Sequence, residues 1–201
     1  MKFGRIQPNP RFVEFEATIA GHPEWLKPWA GTFFRFQSIS FPEPKDVLSG
    51  RGAHDRGGRW NPPGLATLYG STTDTTALEE SKANDRYYGV ETKAPRLLVA
   101  VAVEVIAMLD LTDSAIRRAL GVTLKELAAE DWRKLLQAGK ESASQALGRA
   151  AATNRASGLL VRSAAVPRGI NVVGFPNAHR SDRLVVVDGD KLTRMGCRLT
   201  A

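Results

Sequence analysis

The sequence predicts an α+β domain in which a mostly antiparallel, split sheet carries helices inserted between its strands. Three observations point there. Residues 96–106 are a near-continuous β-branched and apolar run, as expected of a central strand buried on both faces. Residues 159–162, 171–175 and 183–188 are short strand-like segments separated by Pro167-Arg168-Gly169 and Pro176-Asn177 turns. Between these groups the chain shows helix caps instead of strand signals.

Taken in order, residues 1–31 read as an N-terminal extension packed on the core, and residues 32–201 as the main domain. The extension carries the alternation Phe12-Val13-Glu14-Phe15-Glu16 and then Pro23, Trp25, Pro28 and Trp29; its tryptophans suit either the core or a second copy of the chain. Residues 32–37 open the domain as a strand. Residues 42–64 follow as a long polar loop with five glycines, a kind of segment that is usually functional inside a compact domain. A strand at residues 66–69 leads to a helix over 74–86. A short helix over 113–120 stops at Gly121. Thr123-Leu124-Lys125-Glu126 then has the capping-box form that starts one helix running to Gln137, and another helix spans 142–154.

Composition narrows the function. With 43% hydrophobic and 24% charged residues, the 201-residue chain is ordinary for a folded protein. The longest apolar run, residues 97–103, is far short of the roughly 20 needed to span a bilayer, and no signal-peptide core follows Met1, so the expected location is cytoplasmic. The single cysteine, Cys197, and the scattered His22, His54 and His179 give no metal-ligand spacing. Gly50-Arg51-Gly52 lacks the third glycine of a dinucleotide fingerprint, and there is no phosphate-binding GxxxxGK[ST] loop or GxSxG elbow. The net charge of +7 is uneven: seven Lys and Arg face three Asp and Glu over residues 159–201, a surface that attracts anions. Nucleic acid is one such anion, with Arg180, Arg183, Arg194 and Arg198 as its contacts.

The chemistry-bearing residues cluster early. In Gly57-Gly58-Arg59-Trp60-Asn61-Pro62-Pro63-Gly64 the glycines free the backbone, and Arg59 offers a fork of donors suited to a pyrophosphate. Tyr69 in Leu68-Tyr69-Gly70-Ser71 offers a flat ring against which a base or nicotinamide can lie. In Ala77-Leu78-Glu79-Glu80 one glutamate turns inward, where a carboxylate beside a ribose stabilises the positive charge that develops as an N-glycosidic bond breaks. Each of these also has an ordinary reading as loop, packing and solvated surface.

Together with Leu159-Leu160-Val161-Arg162-Ser163 and Asn171-Val172-Val173, these blocks resemble the RES-domain family over roughly residues 32–188. The resemblance implies an ADP-ribosyltransferase-like core and the toxin component of a bacterial type II toxin–antitoxin pair, one that cleaves the nicotinamide N-glycosidic bond of NAD by hydrolysis or phosphorolysis. The alternative is ADP-ribosyl transfer to a host protein. It further implies Arg59, Glu80, Tyr69 and Ser163 as catalytic residues, with Arg35 and Asn171 joining Arg59, Tyr69 and Ser163 in binding NAD. NAD would be a substrate and not a resident cofactor, inorganic phosphate would be a co-substrate in the phosphorolytic case, and no metal is implied. The implied partner is a helix-turn-helix, Xre-type antitoxin that covers the active site, with DNA reached only through it and no membrane. A homodimer through Trp25 and Trp29 is a further expected partner, and a basic nucleic-acid-binding module or ribonuclease-type toxin and a non-catalytic interaction protein are the rival readings.

Overall fold

The computed structural model describes residues 6–38, 41, 43–89, 96–176 and 178–191; Asn177 of the expected turn, Cys197, Arg194 and Arg198 lie outside them. Strand β1 (Leu26–Ser38) and strand β3 (Arg96–Asp110) form a long antiparallel ribbon, with Leu26 opposite Leu109 and Ser38 opposite Arg96. Strand β1 thus starts six residues before the expected Thr32, inside the segment read as an extension. The other strands are β2 (Leu68–Ser71), β4 (Gly158–Arg162), β5 (Ile170–Gly174) and β6 (Arg183–Val186). All six belong to one sheet in the order β1-β2-β5-β4-β3-β6, and the additional β1–β3 pairing closes five of them into a ring. The ring has two thin joints: β1 meets β2 at Phe34 and Ser71, and β3 meets β4 in parallel from Met108–Gly158 to Asp110–Leu160. The other pairings are antiparallel.

Alternation along the strands then sorts the side chains into two cores. Phe33, Leu68, Val99, Val101, Val103, Val172 and Val186 fill the inside of the ring, joined by Val47 from α2 (Pro44–Leu48). On the outside, Leu109, Leu159, Val161 and Val173 pack with Phe15 and Ile19 of α1 (Phe12–Ala20) and with Leu147, Ala150 and Ala151 of α8 (Ala143–Thr153). Trp25 packs against the outer core and Trp29 against the inner one, so both tryptophans have partners within the chain.

Two expectations about elements are corrected. Strand β3 is not buried on both faces along its length: Val99, Val101, Val103 and Val105 face inward while Leu98 and Ile106 are each 46% exposed, because the helices gather elsewhere on the sheet. The single helix expected from Thr123 to Gln137 is two, α6 (Leu124–Ala129) and α7 (Trp132–Gln137). The break falls at Glu130, which leaves helical geometry and whose carboxylate accepts from the amides of Ala143 and Ser144 at 2.8 and 3.1 Å, capping α8. Asp131 then caps α7 by accepting from the Lys134 amide. The long loop holds two short helices, α2 and α3 (Arg51–Arg56). Helix α4 (Asp74–Tyr88) follows β2, capped by Thr73, and α5 (Ser114–Ala119) is capped by Asp113.

Candidate functional site

The first turns of α4 lie over the ends of β2, β5 and β4, and their polar side chains join there. Glu80 is half-buried on α4, and its Oε1 accepts from Ser163 Oγ at 2.7 Å and from Asn171 Nδ2 at 2.6 Å. Asn171 is itself oriented by Ser71, whose hydroxyl donates to Asn171 Oδ1 at 2.7 Å across the β2–β5 pair. Ser163 Oγ accepts from the amides of Ala165 and Val166 at 3.1 and 2.9 Å, so a tight turn holds the hydroxyl that holds the glutamate. Two donors are therefore spent on one carboxylate oxygen. The other, Oε2, has no protein donor among the described residues.

A second polar network fixes the loop that carries Arg59. Asn61 is fully buried, and its Nδ2 donates to the carbonyls of Ala53, Pro62 and Leu65 at 2.9 to 3.0 Å. Its Oδ1 accepts from the Tyr69 hydroxyl at 2.7 Å, and that hydroxyl accepts from the Trp60 amide at 2.9 Å. Burial raises the Tyr69 phenol well above its ordinary range, so it stays a neutral donor. Gln145, also fully buried, reaches from α8 to the carbonyls of Gly58 and Asn61 at 2.9 and 3.3 Å. Two glycines mark how close this loop lies to its neighbours. A Cβ on Gly58 would stand 2.5 Å from the Tyr69 hydroxyl, and one on Gly148 would run into the Trp60 carbonyl.

Thus placed, Arg59 donates from Nη1 to the carbonyl of Leu127 at 2.7 Å and, more weakly, to that of Glu130 at 3.4 Å, at the C-terminal end of α6. Its remaining nitrogens have no protein acceptor among the described residues. Burial, and then the neighbouring Arg133 guanidinium, push Arg59 below the usual arginine range, while Glu80 and Glu130 pull the other way. Arginine remains charged at neutral pH under any such shift. Arg133 is itself held over the rings of Tyr87 and Trp132, each 4.4 Å from its centroid, and it donates to Asn84.

Between the two networks lies a cleft of about 340 Å³. Trp60, Leu111, Leu127 and Val161 make its apolar floor, and Arg59, Arg162, Ser163 and Arg168 bring the polar groups. This is the usual make-up of a small-molecule site, in which apolar walls confine a ligand and a few fixed polar groups orient it. Among the described residues no cluster of His, Cys, Asp and Glu could hold a metal, and no helix is long and apolar enough to cross a membrane.

Of the six residues singled out from sequence, Glu80, Ser163 and Asn171 are joined directly, and Arg59 and Ser163 line the cleft. Tyr69 has a different placement: its hydroxyl is committed to Asn61 and Trp60, and the residue is not among those lining the cleft. Arg35 lies apart from the set. It shares the inward parity of Phe33 on β1, its Nη1 donates to the Val47 carbonyl at 3.1 Å, and burial lowers its pKa to about 10. Asn61, Ser71, Glu130 and Gln145 were missed. The one signal for them was Asn61 within the glycine-rich block, since an asparagine can satisfy several loop carbonyls at once.

Comparison with known proteins gives the family of the chain. Residues 33–194 match the RES domain. The proteins named NAD(+) phosphorylase MbcT of Mycobacterium tuberculosis and of Mycobacterium bovis are each 30% identical over 173 residues, spanning 82% of this chain and 84% of theirs. Among solved structures, the crystal structure of the M. tuberculosis MbcT-MbcA toxin-antitoxin complex matches with a TM-score of 0.62 at 22% identity, covering 94% of this chain and 98% of the matched one. The fold of that chain and the fold described above are therefore the same in outline. On the extent of the match and the identity to these relatives, the chain belongs to the RES domain family.

Proposed function

We propose that this protein is a toxin that cleaves the nicotinamide N-glycosidic bond of NAD, with inorganic phosphate as acceptor, and that its ring of strands is of the ADP-ribosyltransferase type. One observation carries the reading: a carboxylate, Glu80, is locked through one oxygen by Asn171 and by Ser163, which lines the arginine-rich apolar cleft, while its other oxygen has no protein donor among the described residues. The activity in the name of the mycobacterial relatives supports it.

Loss of nicotinamide is dissociative, so the protein has little covalent work to do. Glu80 faces the ribose and stabilises the positive charge that develops there. Arg59, held by α6 carbonyls, takes the pyrophosphate with its remaining nitrogens. Ser163 and Asn171 orient Glu80 and hydrogen-bond the ribose as it arrives. Tyr69 acts by fixing the loop that carries Arg59, through Asn61 and the Trp60 amide. Trp60 and the leucines of α6 exclude water. An enzyme that drains NAD from its own cell needs restraint. We propose a partner protein that covers the cleft, as a cognate antitoxin would, in keeping with the complex in which MbcT was solved. The cytoplasm, where NAD is held, is the proposed location.

The test is to incubate the purified chain with NAD, with and without phosphate, and follow nicotinamide and the ribosyl product by chromatography. Phosphate-dependent nicotinamide release with ADP-ribose 1-phosphate as product is expected. Free ADP-ribose would name water as acceptor, and intact NAD in both buffers would contradict the reading.

A further inference from the structure

Two charged residues of the cleft, Arg162 and Arg168, have no part in that mechanism. Arg168 lines the cleft, is exposed, and makes no ion pair among the described residues. It stands between Pro167 and Gly169 in the left-handed region, at φ 64°, where non-glycine residues are uncommon and are retained when the surroundings enforce them. Its surroundings do so. Arg162 Nη1 donates to the Arg168 carbonyl at 3.2 Å, the Ser163 amide donates to the Gly169 carbonyl at 2.9 Å, and the Gly169 amide donates to the Val166 carbonyl at 3.0 Å. The same turn provides the two amides that hold Ser163 Oγ. One loop thus ties the orientation of Glu80 to the position of a guanidinium whose side chain makes no ion pair among the described residues.

Charge points to what that guanidinium meets. Three arginines line the cleft, and no carboxylate is among the lining residues. A pyrophosphate occupies Arg59, which leaves Arg162 and Arg168 beside Ser163 for a second, separate anion. We propose that Arg168, braced by Arg162, binds the inorganic phosphate that attacks the ribose, so that the turn over residues 163–169 is the acceptor site. The proposal rests on the NAD-cleaving reading above. In the step it serves, a phosphate oxygen forms the bond to the anomeric carbon as the carbon–nitrogen bond breaks, and the bonding pair returns to the pyridine nitrogen of neutral nicotinamide. Nothing is oxidised or reduced. Hydrogen phosphate needs to lose no proton for this exchange, whereas water would, so a bound phosphate removes the need for a general base.

The experiment is steady-state kinetics with varied phosphate at saturating NAD, on the wild type, Arg168→Ala and Arg168→Gly, alongside phosphorus NMR line broadening of inorganic phosphate by each protein. Arg168→Gly keeps the left-handed turn at no steric cost and so separates loss of charge from loss of the loop. Both variants should raise the KM for phosphate about 10-fold or more, the size of a lost charge-assisted hydrogen bond, with a much smaller change in the KM for NAD, and both should lose the phosphate broadening. An unchanged KM for phosphate in both variants, or broadening equal to the wild type, would overturn the proposal. A wild type that forms only ADP-ribose in phosphate buffer would overturn it while leaving NAD cleavage in place. A wild type that neither cleaves NAD nor broadens the phosphate signal would end both readings.

Discussion

Two polar networks stand a few residues apart on the outer face of the same strands, and they are built on opposite plans. In the network of Asn61, Tyr69 and Gln145, the side chains are deeply set, with Asn61 and Gln145 fully buried, and their hydrogen bonds end on loop carbonyls, amides or one another. In the network of Glu80, Ser163, Asn171 and Ser71, the central residue is half-buried, and one of its oxygens is left over. A buried polar network that satisfies itself rigidifies a fold, and one that stops short at a cleft leaves a charge ready for a ligand. The first network holds the loop that carries Arg59, and the second, under the proposed function, supplies the carboxylate for the chemistry.

Mutations break this comparison in order of size. After Glu80, the largest effect is expected at Arg59. Arg59→Ala should lower kcat/KM for NAD on the order of 10²-fold, the loss typical of a positioned electrostatic donor, with little change in Tm; equal losses of activity and Tm would make Arg59 a structural residue only. Next is Gly148→Ala, whose new methyl meets the Trp60 carbonyl and must push the Arg59 loop away from α8. It should cost about 1–3 kcal/mol in chemical denaturation, and a neutral result would show that the loop is not pinned there. Tyr69→Phe should cost about 1–2 kcal/mol by orphaning Asn61 Oδ1 and the Trp60 amide, with kcat falling only as far as the loop loosens. A rise in KM or a fall in kcat with no change in stability would instead place the Tyr69 hydroxyl on the substrate.

The smallest effect concerns pH. Because burial raises the Tyr69 phenol, the folded protein keeps its proton where the unfolded chain releases it. Its contribution to stability is full below the ordinary tyrosine value of about 10 and declines as pH rises above it. Unfolding measured from pH 8 to 11 should therefore show an alkaline loss in the wild type that is reduced in Tyr69→Phe.

The sequence was informative where chemistry is local. The capping box of Thr123 and Glu126 lies where helix α6 begins, α8 falls within the helix expected over 142–154, and the Arg59, Tyr69, Glu80 order follows loop, strand and helix as read. It was silent where contacts are long-range. That Tyr69 locks a loop depends on Asn61 folding back beneath it, and that Glu130 ends α6 depends on the amides of α8 thirteen residues on. The exposed face of β3 has the same origin: an apolar run specifies a strand, but which faces are covered depends on where helices from elsewhere in the chain settle. The inward placement of Arg35 was likewise not legible, since it follows from the parity of β1 and from α2 packing beside it.

The division between the two networks is tested most directly at Glu80. Replacement by Gln retains an oxygen that can accept from Ser163 and Asn171 and removes only the charge. Initial rates of nicotinamide release from NAD, measured beside thermal unfolding for the wild type and Glu80→Gln, decide the matter. The account predicts a loss of kcat on the order of 10²-fold or more with a Tm close to that of the wild type. Near-normal turnover, or a loss of activity matched by a collapse in Tm, would contradict it.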